Sequence, residues 1–481
     1  MSAWARVLFG IYAVAMEIVV WLVLAPMWLV RAKGSAAARA ELHMRLGRTA
    51  PVSAHAAPTV LLHAVSLGEV NAAVPLIDEL TTRGIRVVLS TGTAAGFHAA
   101  ETLRMSRPTV DAVTYLPWDR RGIQRWLSRV APSAVVVVET EIWPHLFHAS
   151  HRLDIPLVMV NARLRSADVP RYRLVRSLFS YVLGCVTTIG ARSPIDRDRY
   201  VAIGADADTT LVVGCLKTDA ALALASRQLT VVALPPLTIV AGSTHPSEEA
   251  LLLEALRVLD ARQRGVRLVL APRHIKRAVN VLTLARRHGA RAALWSEDPP
   301  ADWEVLIVDS YGDLPRFYAG AALVILGGTF SRIGGHNLLE AAVLGRPVIV
   351  GPDIEHITNA VDAFVREGAV VRASAATPGA IADACRQLLD DSTLAERIGR
   401  RAAAVCLNTP RTAPVYADIV RAAIMRDAIH DHCGQQDMTG NQRRKARRKP
   451  EEGLGQLREV EGGQHDGDSH ADRGRAGTVE Q

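Results

Sequence analysis

Cysteine is scarce in this sequence: the five residues Cys185, Cys215, Cys385, Cys406 and Cys433 are far apart, with no CxxC and no histidine at ligand spacing. That pattern supports neither a disulfide framework nor a zinc site, and most of these thiols lie in apolar runs, where a cysteine is a small core residue. Aromatics make up only 5% of the chain against 49% hydrophobic residues overall, so its apolar content is mainly Leu, Val and Ala. This is the balance of parallel sheets covered by helices. Neither GxxxxGKS/T nor GxGxxG occurs, which removes the support for ATP hydrolysis and hydride transfer. Charge is also lopsided only mildly: 56 basic residues against 48 acidic give a net +8, which suits an anionic surface without identifying one.

What the chain has is length, one long apolar run and regular periodicity. At 481 residues it exceeds what one hydrophobic core usually supports. VLFGIYAVAMEIVVWLVLAPMWLV, from Val7 to Val30, is long enough to cross a bilayer, with Glu17 as a costly exception that must tilt toward the interface or find a partner. The run is too long for a signal-peptide core, and residues 1–33 are therefore expected to be an uncleaved anchor. Arg31, Lys33, Arg39, Arg45 and Arg48 after it, against Arg6 before it, place the body on the cytoplasmic side by the positive-inside rule.

Short apolar runs separated by amphipathic stretches then form two series. The first runs from TVLLHAV at Thr59 to VTTIGA at Val186, the second from LTIVAG at Leu237 to RPVIVGP at Arg346. Strand then helix, repeated, predicts parallel doubly wound sheets. The expected organisation is an α/β chain with a Rossmann-like domain over 34–213, a linker over 214–236 ending in Pro235-Pro236, and a second Rossmann-like domain over 237–426. Ligands of such sheets bind at the carboxyl ends of the strands, here in the cleft between the two. Residues 427–481 are polar and charged, with a basic run from Arg443 to Lys449, and are expected to be a disordered solvated tail rather than a nucleic-acid site.

Chemistry-bearing residues cluster at predicted strand ends. LLHAVSLGEV turns at Gly68 and puts Glu69 in the first turn of a helix, with Ser66 as its cap; alone, this is ordinary helix chemistry. GGTFSRIGGHNLLEAAVLGRPVIVGP, from Gly327, reads as strand, glycine turn, loop, second glycine pair (Gly334, Gly335), then a helix opened at Asn337 and closed at Gly345. Glycines let a ligand approach the backbone, a helix N-terminus offers N–H groups to phosphate, and Glu340 is placed to accept from ribose hydroxyls. AGSTHPSEE supplies Ser243 and Thr244, APRHIKRA supplies Arg273 and His274, and DSYGDL supplies Gly312, whose backbone is placed to read a base.

HAVSLGEV, VVVETEIWP, NARL, GCLKTD, GSTHPSEE, PRH, DSYGDL and GGHNLLEAA, in this order and at these separations, resemble the 3-deoxy-D-manno-oct-2-ulosonic acid (Kdo) transferases of lipopolysaccharide synthesis. The likeness runs from about Arg45 to Pro352. It implies a glycosyltransferase of GT-B architecture: two Rossmann-like domains, the acceptor at the N-terminal one and the donor CMP-Kdo at the C-terminal one. It also implies transfer to the lipid A precursor (lipid IVA) with inversion, at the inner membrane, with no metal and no cofactor.

By the same resemblance Glu69 is the general base, and Glu139 and Lys217 stabilise the transition state. Pro272, Arg273, Tyr311, Gly312, Asp313, Asn337, Leu338, Leu339 and Glu340 match the family's CMP contacts, and Ser243, Thr244, His274, Gly334, Gly335 and His336 are placed to support them. Two departures stand out: Leu338 occupies a position that is commonly Pro in the family, and GPDIEHITN replaces a GPHTFNF-like run. The rival readings are another GT-B sugar-nucleotide enzyme, such as a hexosamine transferase or an epimerase, and an inactive membrane-anchored scaffold.

Overall fold

The structure is a computed structural model that describes residues 3–51, 57–226, 229–355 and 357–434. Its centre is a pair of seven-stranded sheets in which every strand pairing is parallel. The first comprises β1 (Thr59–His63), β2 (Arg86–Thr91), β3 (Val110–Tyr115), β4 (Ala134–Val138), β5 (Leu157–Ala162), β6 (Thr188–Ala191) and β7 (Thr210–Val212), in the order β3-β2-β1-β4-β5-β6-β7. The second comprises β8 (Thr238–Thr244), β9 (Arg267–Pro272), β10 (Ala292–Leu294), β11 (Val305–Ile307), β12 (Leu323–Leu326), β13 (Val348–Val350) and β14 (Val371–Arg372), in the order β10-β11-β9-β8-β12-β13-β14.

TVLLH and AVVVV are buried along their whole length. Continuous apolar strands of this kind are stable only where helices cover both faces, and two core clusters flank each sheet. In each sheet the winding direction reverses once, between β1 and β4 and between β8 and β12. A crevice opens at such a reversal, outside the carboxyl ends of the two central strands. Those ends carry Ser66–Glu69, Glu139–Glu141, Ser243–His245 and Gly327–Asn337, so topology alone brings these stretches to the crevices.

The expected linker 214–236 contains a helix, Leu216–Ala225, that begins just before Lys217. The last helix, Ala413–Gly434, returns to the first sheet, where the Tyr416 hydroxyl donates to the carbonyls of Gly190 (3.1 Å) and Gly214 (2.8 Å). It runs past the expected start of the tail at 427, and residues 435–481 lie outside the described residues.

The N-terminal apolar run is helical over Ala3–Ala32, with mean hydropathy 2.4, long and apolar enough to cross a membrane. A π-helical stretch at Val20–Leu24 precedes Pro26, whose missing N–H and bulky ring break the regular ladder there. One face packs on the first domain: Phe9 lies against His145, His148 and Tyr181, and the Tyr12 hydroxyl donates to Asp119 at 2.6 Å. Glu17 finds the partner it needs in Arg120 at 3.2 Å. The opposite face leaves Trp4, Val7, Ile11, Val14, Ile18 and Leu22 exposed.

Candidate active site

Glu69 sits where β1 turns into the helix Leu67–Thr82. Ser66 caps that helix, and the Glu69 carboxylate reaches back to accept from the Val65 N–H (2.7 Å) and the Ser66 hydroxyl (3.0 Å). This is a variant of the capping box, with the acid reaching one residue beyond the N-cap, so the helix-chemistry reading is structurally real. It is not the whole account: burial, with the neighbouring charges of Glu139 and Glu141, pushes the Glu69 carboxyl up to about 7 despite the hydrogen bonds that oppose the shift. A carboxylate used only as a cap gains nothing from two further acids beside it, whereas a base working near neutral pH needs that environment.

Glu139 ends β4 in the left-handed region (φ 64°), and Asn161 does the same at the end of β5 (φ 53°). Such conformations cost energy for a residue with a Cβ and concentrate at functional sites. Here they aim the two side chains at one another. The Asn161 amide approaches Glu139 (3.4 Å), and its oxygen accepts from the Leu216 N–H (3.2 Å), fixing the start of the helix that carries Lys217. Lys217 closes the group with an ion pair to Glu139 at 3.0 Å.

Across from these residues, the second sheet presents its own strand ends. Arg273 follows β9, its N–H bonded to the Thr244 carbonyl at 2.9 Å, and its guanidinium is exposed. Burial raises the Glu340 carboxyl, while the Asn337 amide (3.1 Å) and the charges of Arg273 and Lys217 oppose that rise. Lys217 therefore feels carboxylates from both sides of the cleft. His245, after β8, stacks on His336 with their Nε2 atoms 2.7 Å apart, and His274 meets it edge-on. Burial lowers the His245 pKa, and His274 adds to the effect.

The loop from Gly327 to Asn337 is held by Glu248, a buried carboxylate that accepts from the N–H groups of His245 (2.9 Å), Gly328 (2.9 Å) and Phe330 (3.0 Å). Gly335 has φ 89°, and a Cβ there would stand 2.6 Å from Ile357, so only glycine fits.

Several expected positions are less free than their motifs suggest. The helix expected over 337–345 is a single turn, Leu339–Ala342, with Leu338 buried at its cap and Asn337 accepting from the Leu339 N–H at 3.2 Å. A helix of one turn carries little dipole, so it is a minor attraction for phosphate. Asp313 is engaged by Ser310 and by Arg316, which hold its carboxyl below the ordinary range. Tyr311 is exposed and Gly312 has φ 90°, which leaves this loop's backbone open to a ligand. Pro272 is buried, and Thr244 spends its hydroxyl on Glu249 at 3.0 Å. Ser243 is itself left-handed, with φ 57°.

Glu141 and Asn161 belong to this site although the motifs did not single them out. Both stood in stretches already conspicuous, ETE and NARL, but their part depends on backbone turns that no residue spacing announces.

Two parallel doubly wound sheets with opposed crevices define a GT-B-like architecture. In keeping with this, the crystal structure of UDP-GlcNAc 2-epimerase from Neisseria meningitidis bound to UDP-GlcNAc superposes with a TM-score of 0.51, covering 76% of this chain and 100% of that one at 14% identity. That likeness concerns the fold alone. Sequence comparison is more specific: the family described as 3-deoxy-D-manno-octulosonic-acid transferase (kdotransferase) matches residues 40–220. The 3-deoxy-D-manno-octulosonic acid transferase of Bordetella pertussis is 33% identical over 383 residues, spanning 76% of this chain and 88% of that protein. The enzyme of the same name from Haemophilus influenzae is 27% identical over 380 residues, again spanning 76% and 88%. The chain belongs to the 3-deoxy-D-manno-octulosonic acid transferase family.

Proposed function

We propose that this protein transfers Kdo from CMP-Kdo to a hydroxyl of the lipid A precursor (lipid IVA), with inversion at the anomeric carbon and no metal in the step. The acceptor oxygen attacks the anomeric carbon as the bond from that carbon to the CMP phosphate oxygen breaks. The hydroxyl proton passes to Glu69, and CMP departs with the electron pair toward Arg273 and Lys217. One displacement on the face opposite the leaving group inverts the centre. Glu139 then counters positive charge that develops on the sugar, and the Lys217 ammonium offsets the growing charge on the phosphate.

The observation that carries this reading is the Glu69 carboxyl, pushed up to about 7 beside Glu139 and Glu141, at a strand end that faces the cations of the donor side. CMP is assigned to Arg273, the backbone of Tyr311–Asp313 and the stretch Asn337–Glu340, with Ser243, His274 and His336 around the phosphate. The bare apolar face of the helix Ala3–Ala32 is taken as the membrane contact, at the inner membrane with the catalytic body on its cytoplasmic side.

Incubation with CMP-Kdo and lipid IVA, read by product mass, tests the proposal: a product heavier by one or more Kdo units is expected. Thermal protection by UDP in place of CMP would favour an epimerase or hexosamine transferase. Protection by neither nucleotide, with no product, would favour a scaffold.

A further inference from the structure

A cavity of about 560 Å³ opens beside Glu139, at the carboxyl ends of β4 and β5. Glu141 and Trp143 line it from one strand end, Arg163 and Arg165 from the next, and Arg171, Tyr172 and Phe179 from the helices that follow. We infer that this cavity seats a phosphate monoester of an amphiphilic acceptor, gripped by Arg163 and Arg171, with the adjoining sugar or acyl stem against Trp143, Tyr172 and Phe179. The inference rests on the transfer reading above and deepens it by giving the acceptor's anionic group a place.

Charge balance within the cavity decides which groups are available. Arg165 is spent on Asp168, at 2.7 Å. Glu139 is paired with Lys217, and Asp196 is held by Ser193, Arg192 and the Leu164 N–H. Burial and the charge of Glu139 hold the Glu141 carboxyl above its ordinary range. Arg163 and Arg171 remain, and neither donates a side-chain hydrogen bond or forms an ion pair among the described residues. Arg163 is half-buried, and its pKa is lowered by that burial and by the charge of Arg192, against the weaker attraction of Glu139 and Asp196. A cation partly withdrawn from water with no hydrogen-bonded acceptor is costly, and a phosphate supplies acceptors whose charge and geometry suit guanidinium. Aromatic walls beside this grip suit the apolar part of the same molecule. Glu141 joins the cavity to the reaction centre, because it lines one and its charge acts on Glu69 in the other.

The test is calorimetric titration of the full-length protein in detergent, without donor, using an acylated glucosamine disaccharide bisphosphate and the same molecule with its phosphates removed. The parent protein is expected to bind the phosphorylated form roughly 10- to 150-fold more tightly, the range of hydrogen bonds to a charged group. Arg163→Gln with Arg171→Gln should abolish that preference while the affinity for CMP stays unchanged. Arg171→Gln alone, a change at an exposed side chain, should reduce it without disturbing the fold. A preference that survives in the double variant, equal weakening of both forms, or no preference in the parent would each overturn the inference. Binding is read without transfer, so a preserved phosphate preference with no Kdo product would sink the transfer reading and leave the cavity assignment standing.

Discussion

The two faces of the cleft are built from the same kind of sheet and end in opposite chemistry. The first places three carboxylates, Glu69, Glu139 and Glu141, around strand ends that Glu139 and Asn161 finish in the left-handed region. The second ends in glycines at positive φ, an exposed Arg273 and a group of histidines. The first face buries an acid beside further negative charge and so raises a proton acceptor into the neutral range. The second exposes backbone and cation, the kind of groups that suit a phosphate. In the proposed reaction this division would separate proton transfer from leaving-group stabilisation, and Lys217 feels both faces, through its ion pair to Glu139 and its charge on Glu340.

The comparison breaks first at Glu69. Glu69→Gln should lower transfer by roughly 10²–10⁴-fold with CMP affinity unchanged, as measured by product formation and calorimetry. Lys217→Met removes the cation between the faces, and a loss of about 10²–10³-fold in kcat is expected, comparable to removing one preorganised donor. Arg273→Ala acts on the second face alone, and its CMP affinity should fall by about 10- to 150-fold in titration.

The smallest effect is on stability. The Glu69 carboxyl lies near 7 in the folded protein against an ordinary 4.5, so between these values the folded state holds a proton that the unfolded state has released. Its contribution therefore falls as pH rises through that window, and the cost is complete above about pH 7. Glutamine keeps an acceptor for the Val65 N–H and removes the buried charge. Calorimetric melting of Glu69→Gln at about pH 8 should show a Tm some 2–4 °C above the parent, with no gain near pH 5.

The strands that carry the site were legible because TVLLH, AVVVV and LVIL are short, mainly apolar runs. β7, β10 and β14 were not: they are two or three residues long and lie at sheet edges, where TLV or VR has no pattern to show. The acid at 69 and the cations at 217 and 273 stood in motif order. The cooperation of Asn161 with Glu139 did not, since it arises from left-handed turns at two adjacent strand ends. The helix within 214–236 was hidden by its neighbours, because LKTDAALALA was read together with the Pro235-Pro236 break that follows it.

The central claim is that burial and the neighbouring carboxylates together tune Glu69 as the base, and the pH dependence of kcat/KM for Kdo transfer tests it most directly. Between about pH 5 and 9 the parent should show a rising limb with its midpoint near 7, as Glu69 loses its proton. Glu139→Gln removes the adjacent negative charge, and should shift that limb to lower pH even as the rate falls. A limb unchanged by Glu139→Gln, or still present in Glu69→Gln, would contradict the account.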